Sequence, residues 1–266
     1  MTEPTGYEDE PREVFTPVTA QSYAALYHLE LSDFKADFRF YQALLQQFEA
    51  RFILECGCGT GRIQRFLHEY NFSSVGIDIS SPMLQKAATQ GGTHLVAMDM
   101  CSLGFCNQFD AVIIPYNTLN LLTDEKTIAR CLSEIYTVLK SDGVLLLQLY
   151  TPDRQLRENP FQRFFQFSMK DIDDGGKLIT ESIKQFDPEK KISLLEQRYK
   201  IRYPGKPEQN VNQVINHELA AFSPSEWFEI INTSGYHVSS CYRDYELNTH
   251  GFETDGPLLF AATPSS

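Results

Sequence analysis

Apolar residues recur along this chain in two alternating patterns: short continuous runs, which suit buried strands, and a three-to-four spacing, which suits amphipathic helices. Helical spacing covers Thr19–Phe48 as two helices, with Phe34, Phe38, Tyr41, Leu44, Leu45 and Phe48 on one stripe. The run Phe52–Leu54 then predicts a strand, Arg62–Tyr70 a helix, Ser74–Asp78 a strand, and Ser81-Pro82 the cap and first turn of another helix. Further strands are expected at His94–Met98, Phe109–Pro115 and Val144–Tyr150, with a helix Thr123–Lys140 stopped at Gly143. Strands alternating with helices predict a mostly parallel sheet covered on both faces.

After Tyr150 the pattern changes. Phe161–Met169, Lys177–Phe186, Ile192–Tyr203 and Val211–Ala221 read as successive strands separated by turn-rich D-D-G-G, D-P-E-K-K and Y-P-G-K-P, an antiparallel insertion over 151–222. A helix from Ser223 to Gly235 and strands Tyr236–Tyr245 and Pro257–Thr263 complete the core over 223–266. Residues 1–18 read as a flexible acidic tail, and 19–150 as the N-terminal helices and binding core.

The candidate chemistry gathers at the end of the first long strand. Glu55 is followed by Gly57, Gly59 and Gly61, a bare-backbone turn that lets a ligand lie against the main chain. A dinucleotide fingerprint needs glycine one position after Gly61, where Arg62 stands, so the spacing argues against NAD. Glu55-x-Gly57-x-Gly59-x-Gly61 resembles the first motif of class I S-adenosylmethionine-dependent methyltransferases, and D-I-S-S-P-M-L from Asp78 resembles their second. The resemblance implies a Rossmann-like α/β fold with a seven-stranded, mostly parallel sheet, helices on both faces, an N-terminal helical lid and the antiparallel β insertion.

It also implies site roles. Asp78 would accept from the ribose hydroxyls, Ile79 and Met83 would lie near the adenine ring, and Asp99 and Met100 would meet its edge. Tyr116, Asn117 and Asn120 follow the fourth strand, where donor meets acceptor, with Pro115 on the cofactor side. Asn117 and Asn120 equally suit a turn that caps the next helix. Tyr23 and Tyr27 sit one helical turn apart; they suit a lid, Tyr27 toward the cofactor and Tyr23 toward the acceptor, and equally an ordinary amphipathic helix. Arg163 and Phe164 are acceptor-pocket candidates in the insertion, although an aromatic strand stripe also suits a core. Tyr116, Tyr27 and His217 are candidate bases, with His217 the histidine set among the insertion strands.

Charge and cysteine content narrow the partners. Lys plus Arg number 23 against 35 Asp plus Glu, a net charge of −12 that repels nucleic-acid backbones and anionic membranes. No apolar run reaches the ~20 residues of a membrane span, and the first ten residues lack signal-peptide character. The six cysteines show no metal-ligand or disulfide spacing, and no metal site is expected. The expectation is a soluble, cytoplasmic methyltransferase, monomer or homodimer, that uses S-adenosyl-L-methionine, yields S-adenosyl-L-homocysteine, and N- or O-methylates a small molecule. A protein methyltransferase, or a donor-binding protein without catalysis, are the alternatives.

Overall fold

A computed structural model describes residues 13–248 and 255–265; most of the expected tail, residues 1–12, lies outside them. In chain order the first half carries β1 (Thr16–Pro17), α1 (Ala20–Leu31), α2 (Phe38–Gln47), β2 (Phe52–Cys56), α3 (Arg62–Glu69), β3 (Ser73–Asp78), α4 (Ser81–Thr89), β4 (Leu95–Ala97), β5 (Phe109–Ile114) and α5 (Glu125–Val138). The second half carries β6 (Leu139–Leu149), α6 (Arg154–Glu158), β7 (Phe164–Asp171), β8 (Lys177–Asp187), β9 (Ile192–Arg202), β10 (Val211–Ala220), α7 (Pro224–Thr233), β11 (Tyr236–Tyr242) and β12 (Leu258–Pro264).

Seven strands form the main sheet in the order β11-β12-β6-β5-β2-β3-β4. Strands β2 to β6 pair in parallel, while β12 enters antiparallel between β6 and β11. Successive strand residues point to opposite faces, so an uninterrupted apolar run needs cover on both. Leu54, Val112, Leu145 and Leu147 pack with residues of α5 and α7, such as Ile135 and Trp227. Ile53, Ala111, Val144 and Leu146 pack on the other face with residues of α2 and α3, such as Leu44 and Ile63. Each fully buried Leu or Ile contributes roughly 1.5–3 kcal/mol.

The insertion is a second sheet, ordered β1-β10-β9-β8-β7. Leu26 of α1 packs on Leu178, Tyr199 and Ile201 of this sheet, while Tyr27 of the same helix faces the turn at Gly59 after β2, so α1 reaches both sheets.

Four expectations are corrected. Residues 13–18 are not a loose tail: β1 pairs with β10, Glu13 ion-pairs with Lys200 and Arg202, and Arg198 and Lys200 sit over the Phe15 ring. The helix expected to reach Lys140 ends at Val138, and Leu139 already pairs with Phe109. Gly143 is therefore a strand residue and not a helix stop; a Cβ there would stand 2.9 Å from the Asp110 carbonyl oxygen. Ser80, not Ser81, is the N-cap of α4. In the insertion, the strand expected from Phe161 begins at Phe164, because the chain turns first, with Phe161 at φ +65° and the Gln162 N–H on the Asn159 carbonyl at 3.3 Å.

Candidate active site

The three glycines of the turn all take positive φ, +72° at Gly57, +52° at Gly59 and +76° at Gly61, a region costly for residues with a Cβ. Gly57 and Cys58 donate to the Ile77 carbonyl at 2.8 and 2.9 Å, which staples the turn to β3. A Cβ on Gly57 would lie 2.2 Å from Cγ2 of Thr118, and one on Gly61 would lie 3.0 Å from Cβ of Ala87. Gly59 differs. Its absent Cβ would meet only Cε1 of Tyr27, at 3.6 Å, so the backbone here is bare and faces the tyrosine of α1.

Acidic groups surround that turn. Asp78 accepts from the Gly59 N–H through Oδ2 and from the Ser80 N–H through Oδ1, both at 2.8 Å, and burial raises its pKa. Glu55 is only 2% exposed and accepts from Gln64 Nε2 at 2.8 Å; burial outweighs that bond and pushes its pKa up to about 8. Asp99, past β4, is exposed and turns Oδ1 onto the Cys101 N–H at 2.8 Å, while Met100 packs against the core. Met83 is buried on α4 and Ile79 is 76% exposed. Glu55, Asp78 and Asp99 thus stand at or just beyond the carboxyl ends of β2, β3 and β4, the edge at which open parallel sheets bind ligands.

Arg62, in the sequence only the residue that spoils a dinucleotide fingerprint, has a structural task. It forms a paired bridge to Asp37, 2.7 Å at each oxygen, and donates to the Phe34 carbonyl at 2.9 Å. Its guanidinium lies over Phe34 and Phe38, so the link between α1 and α2 is anchored at the glycine turn.

Beyond β5, Pro115 is buried, and Tyr116 and Asn117 both adopt the left-handed region, at φ +51° and +62°. Two consecutive non-glycine residues there store strain of the kind that gathers at binding sites. Tyr116 stands edge-on to Phe34, and burial raises its phenol to about 12. Asn120 is corrected as an acceptor contact: it is fully buried, donates to the Tyr150 and Ala220 carbonyls at 3.0 and 2.7 Å, and accepts from the Tyr150 N–H at 2.9 Å. It clasps the two sheets together. Neither asparagine caps α5, whose N-cap is Asp124.

A cleft of about 320 Å³ opens between the sheets. Tyr116, Asn117 and Thr118 form one side, Tyr23, Tyr27 and Glu30 of α1 another, and Ser182, Lys184, Ser193, Gln197 and His217 the side made by the insertion. Tyr23 Oη and His217 Nε2 are 3.3 Å apart, and burial lowers the histidine's pKa. Glu30 accepts from the Tyr199 hydroxyl at 2.8 Å, and burial raises its pKa. Arg163 is corrected as a cleft residue: it lines a hollow on the opposite side of the sheet and pairs with Glu196 at 2.9 Å. Phe164 pairs in register with Lys184 but does not line the cleft.

Sequence reasoning missed Glu30, Tyr150 and Lys184. Glu30 had a usable signal, since Tyr23, Tyr27 and Glu30 fall on one helical stripe. Among the described residues all six cysteines are free, no three His, Cys, Asp or Glu side chains gather as for a metal, and no helix is long and apolar enough to cross a membrane.

A sequence profile described as a methyltransferase domain matches residues 53–143, which hold the glycine turn, Asp78, Asp99 and Tyr116. YqeM of Bacillus subtilis (strain 168), which bears a methyltransferase name, is 27% identical over 218 residues, 80% of this chain and 84% of that protein. An S-adenosylmethionine-dependent methyltransferase from Clostridium acetobutylicum ATCC 824 shares the fold at TM-score 0.75 and 16% identity, over 92% of this chain and 98% of that one. The sugar N-methyltransferase KedS8 from Streptoalloteichus sp ATCC 53650 does so at TM-score 0.70 and 16% identity, over the full length of both. With the glycine turn bare at Gly59 and acids at three successive strand ends, residues 53–143 match a methyltransferase domain, and the chain as a whole has the fold of S-adenosylmethionine-dependent methyltransferases.

Proposed function

We propose that this enzyme methylates a nitrogen or oxygen of a small, hydroxyl-rich acceptor bound in the cleft between Tyr116 and the insertion sheet. The observation that carries this reading is the cleft's lining, in which side chains bearing a hydroxyl, carboxamide or imidazole outnumber aliphatic ones. Such a wall suits a sugar-like molecule, whose many hydroxyls need partners. KedS8, with the same architecture, is a sugar N-methyltransferase, which favours an amino sugar.

The residues fit the donor. Gly59 offers bare backbone beneath Tyr27, where a side chain would intrude, and Gly57 and Gly61 let the turn fold back on Thr118 and Ala87. In this reading Glu55 and the glycines hold the methionine portion, Asp78 the ribose hydroxyls, Ile79 and Met83 the faces of the adenine, and Asp99 with the Met100 N–H its edge, with Pro115 behind. The bound sulfonium supplies a methyl group already activated for in-line displacement, so the protein's part is orientation, exclusion of water and removal of a proton. Tyr116 and Asn117 border the acceptor next to the donor. His217, neutral at pH 7 because burial disfavours its charge, is the base. A proton leaving the acceptor goes to the Tyr23 oxygen as that hydroxyl's own proton passes to Nε2.

Calorimetric titration with S-adenosylhomocysteine, with NAD as control, followed by transfer from labelled donor to amino sugars, sugars, amines, phenols, carboxylates, thiols and lysine peptides, tests the proposal. The expected result is binding of the homocysteine nucleoside alone and label in an amino sugar or polyol. Absence of that binding, or label only in peptides, overturns it.

A further inference from the structure

One cation in the cleft faces it without an anion. Strand β8 alternates, with Ile183 and Gln185 bordering the outer hollow and Ser182 and Lys184 the cleft. The other lysines on strands of this sheet are paired: Lys170 with Asp33, Lys177 with Asp171, and Lys200 with Glu13 and Glu181. The Lys184 ammonium makes no ion pair or hydrogen bond among the described residues, and burial lowers its pKa, which only a field from Asp153 opposes. Asp153 is itself committed as the N-cap of α6, accepting from the Leu156 N–H at 2.9 Å. A half-buried ammonium loses hydration that nothing in the protein returns.

The groups beside it are neutral donors. Register aligns Gln166 of β7, Ser182 of β8 and Gln197 of β9 in one row across the sheet, adjacent to Lys184 and facing the same cleft. None of these three side chains is hydrogen-bonded among the described residues. Glu30, the carboxylate in the cleft lining, stands across from them on α1 and is held by Tyr199. A cation flanked by unengaged neutral donors matches the demands of a carboxylate or phosphate group.

We propose that Lys184, with Gln166 and Ser182, is an anion subsite, and that the methyl acceptor carries a carboxylate or phosphate group. This rests on the methyltransferase reading of the cleft. Bound, the anion restores the ammonium's charge balance and fixes the acceptor's orientation relative to Tyr116.

The probe is the Lys184 side-chain resonance in protein labelled with [ε-13C]lysine, loaded with S-adenosylhomocysteine and assigned by loss in Lys184→Met. Inorganic phosphate, acetate and the neutral controls glycerol and acetamide are titrated in turn. A saturable shift of that resonance with phosphate or acetate, together with a rise in its titration midpoint, is expected. Tighter phosphate binding assigns a phosphate-bearing acceptor, and tighter acetate binding a carboxylate. No saturable shift with either anion, or the same shift with the neutral controls, overturns the subsite. Retention of S-adenosylhomocysteine binding in that sample confines the failure to the subsite, whereas its loss condemns the methyltransferase reading itself. With an acceptor from the transfer screen, Lys184→Met raises KM about 10- to 100-fold, as expected for a lost charged hydrogen bond, and leaves kcat little changed; Lys184→Arg rescues.

Discussion

The carboxylate of Asp78 accepts a hydrogen bond of 2.8 Å from the backbone N–H of Gly59, joining the tip of β3 to the middle glycine of the turn after β2. The same carboxylate holds the Ser80 N–H, so the residue proposed to meet the ribose also sets the turn that receives the rest of the donor. Asp78→Ala removes both. S-adenosylhomocysteine binding should weaken about 10- to 100-fold, the equivalent of one charged hydrogen bond worth ~1.5–3 kcal/mol. Calorimetry reads it directly, and an unchanged Kd would assign the ribose contact elsewhere.

Glu55 makes stability depend on pH. In the folded, donor-free protein its pKa is raised from 4.5 to about 8 by burial, against the opposing bond from Gln64. Between those pH values the folded chain holds a proton that the unfolded chain has released. Stability therefore falls as pH rises from 4.5 to 8, by at most about 1.4 kcal/mol per pH unit, and levels off above. Glu55→Gln keeps the acceptor for Gln64 and removes the ionisation. The stability difference between variant and wild type should grow in the variant's favour from pH 5 to 8 in denaturant melts. Parallel curves would mean that Glu55 is ionised in the folded state.

What was legible in the sequence was local. The glycine spacing, the strand-helix alternation and the acids at Asp78 and Asp99 depend on neighbours within a few residues, and the structure places all of them at one sheet edge. What was not legible depends on pairing across the chain. Arg163 and Lys184 lie on opposite faces of one sheet because of strand register, which residue type alone does not encode. Asn120 looked like a site residue because it follows a functional strand end, but its amide is spent on Tyr150 and on Ala220, 100 positions away. The segment from Glu13 to Val18 read as tail because its acid and its aromatic ring find their partners, Arg198, Lys200 and Arg202, only after the insertion has folded.

Asn120 gives a test that separates structure from recognition. Its side chain is fully buried, and removing it strands the Ala220 carbonyl and the Tyr150 N–H, while the Tyr150 carbonyl keeps the indole N–H of Trp227 at 3.4 Å. Asn120→Ala should cost about 3 kcal/mol and lower Tm by roughly 6–12 °C. S-adenosylhomocysteine affinity, measured well below the new Tm, should stay close to wild type. A variant that keeps its Tm and loses turnover would return Asn120 to the acceptor contacts.

The pair of Tyr23 and His217, 3.3 Å apart, predicts a rate profile. Burial lowers the His217 pKa from 6.5, so the neutral imidazole persists below that pH and the acid limb of kcat/KM set by this group lies on the acid side of 6.5. An amine acceptor adds a limb from its own ionisation at higher pH, common to wild type and variants. His217→Gln should remove the lower limb and slow methyl transfer about 10²- to 10⁴-fold. Tyr23→Phe interrupts the same relay, so the double variant should be little slower than the worse single one. S-adenosylhomocysteine affinity should hold in all three, because neither side chain touches the glycine turn. A Gln variant that retains the lower limb would place the base at another group of the cleft, with Glu30 next in line, a carboxylate whose pKa burial raises.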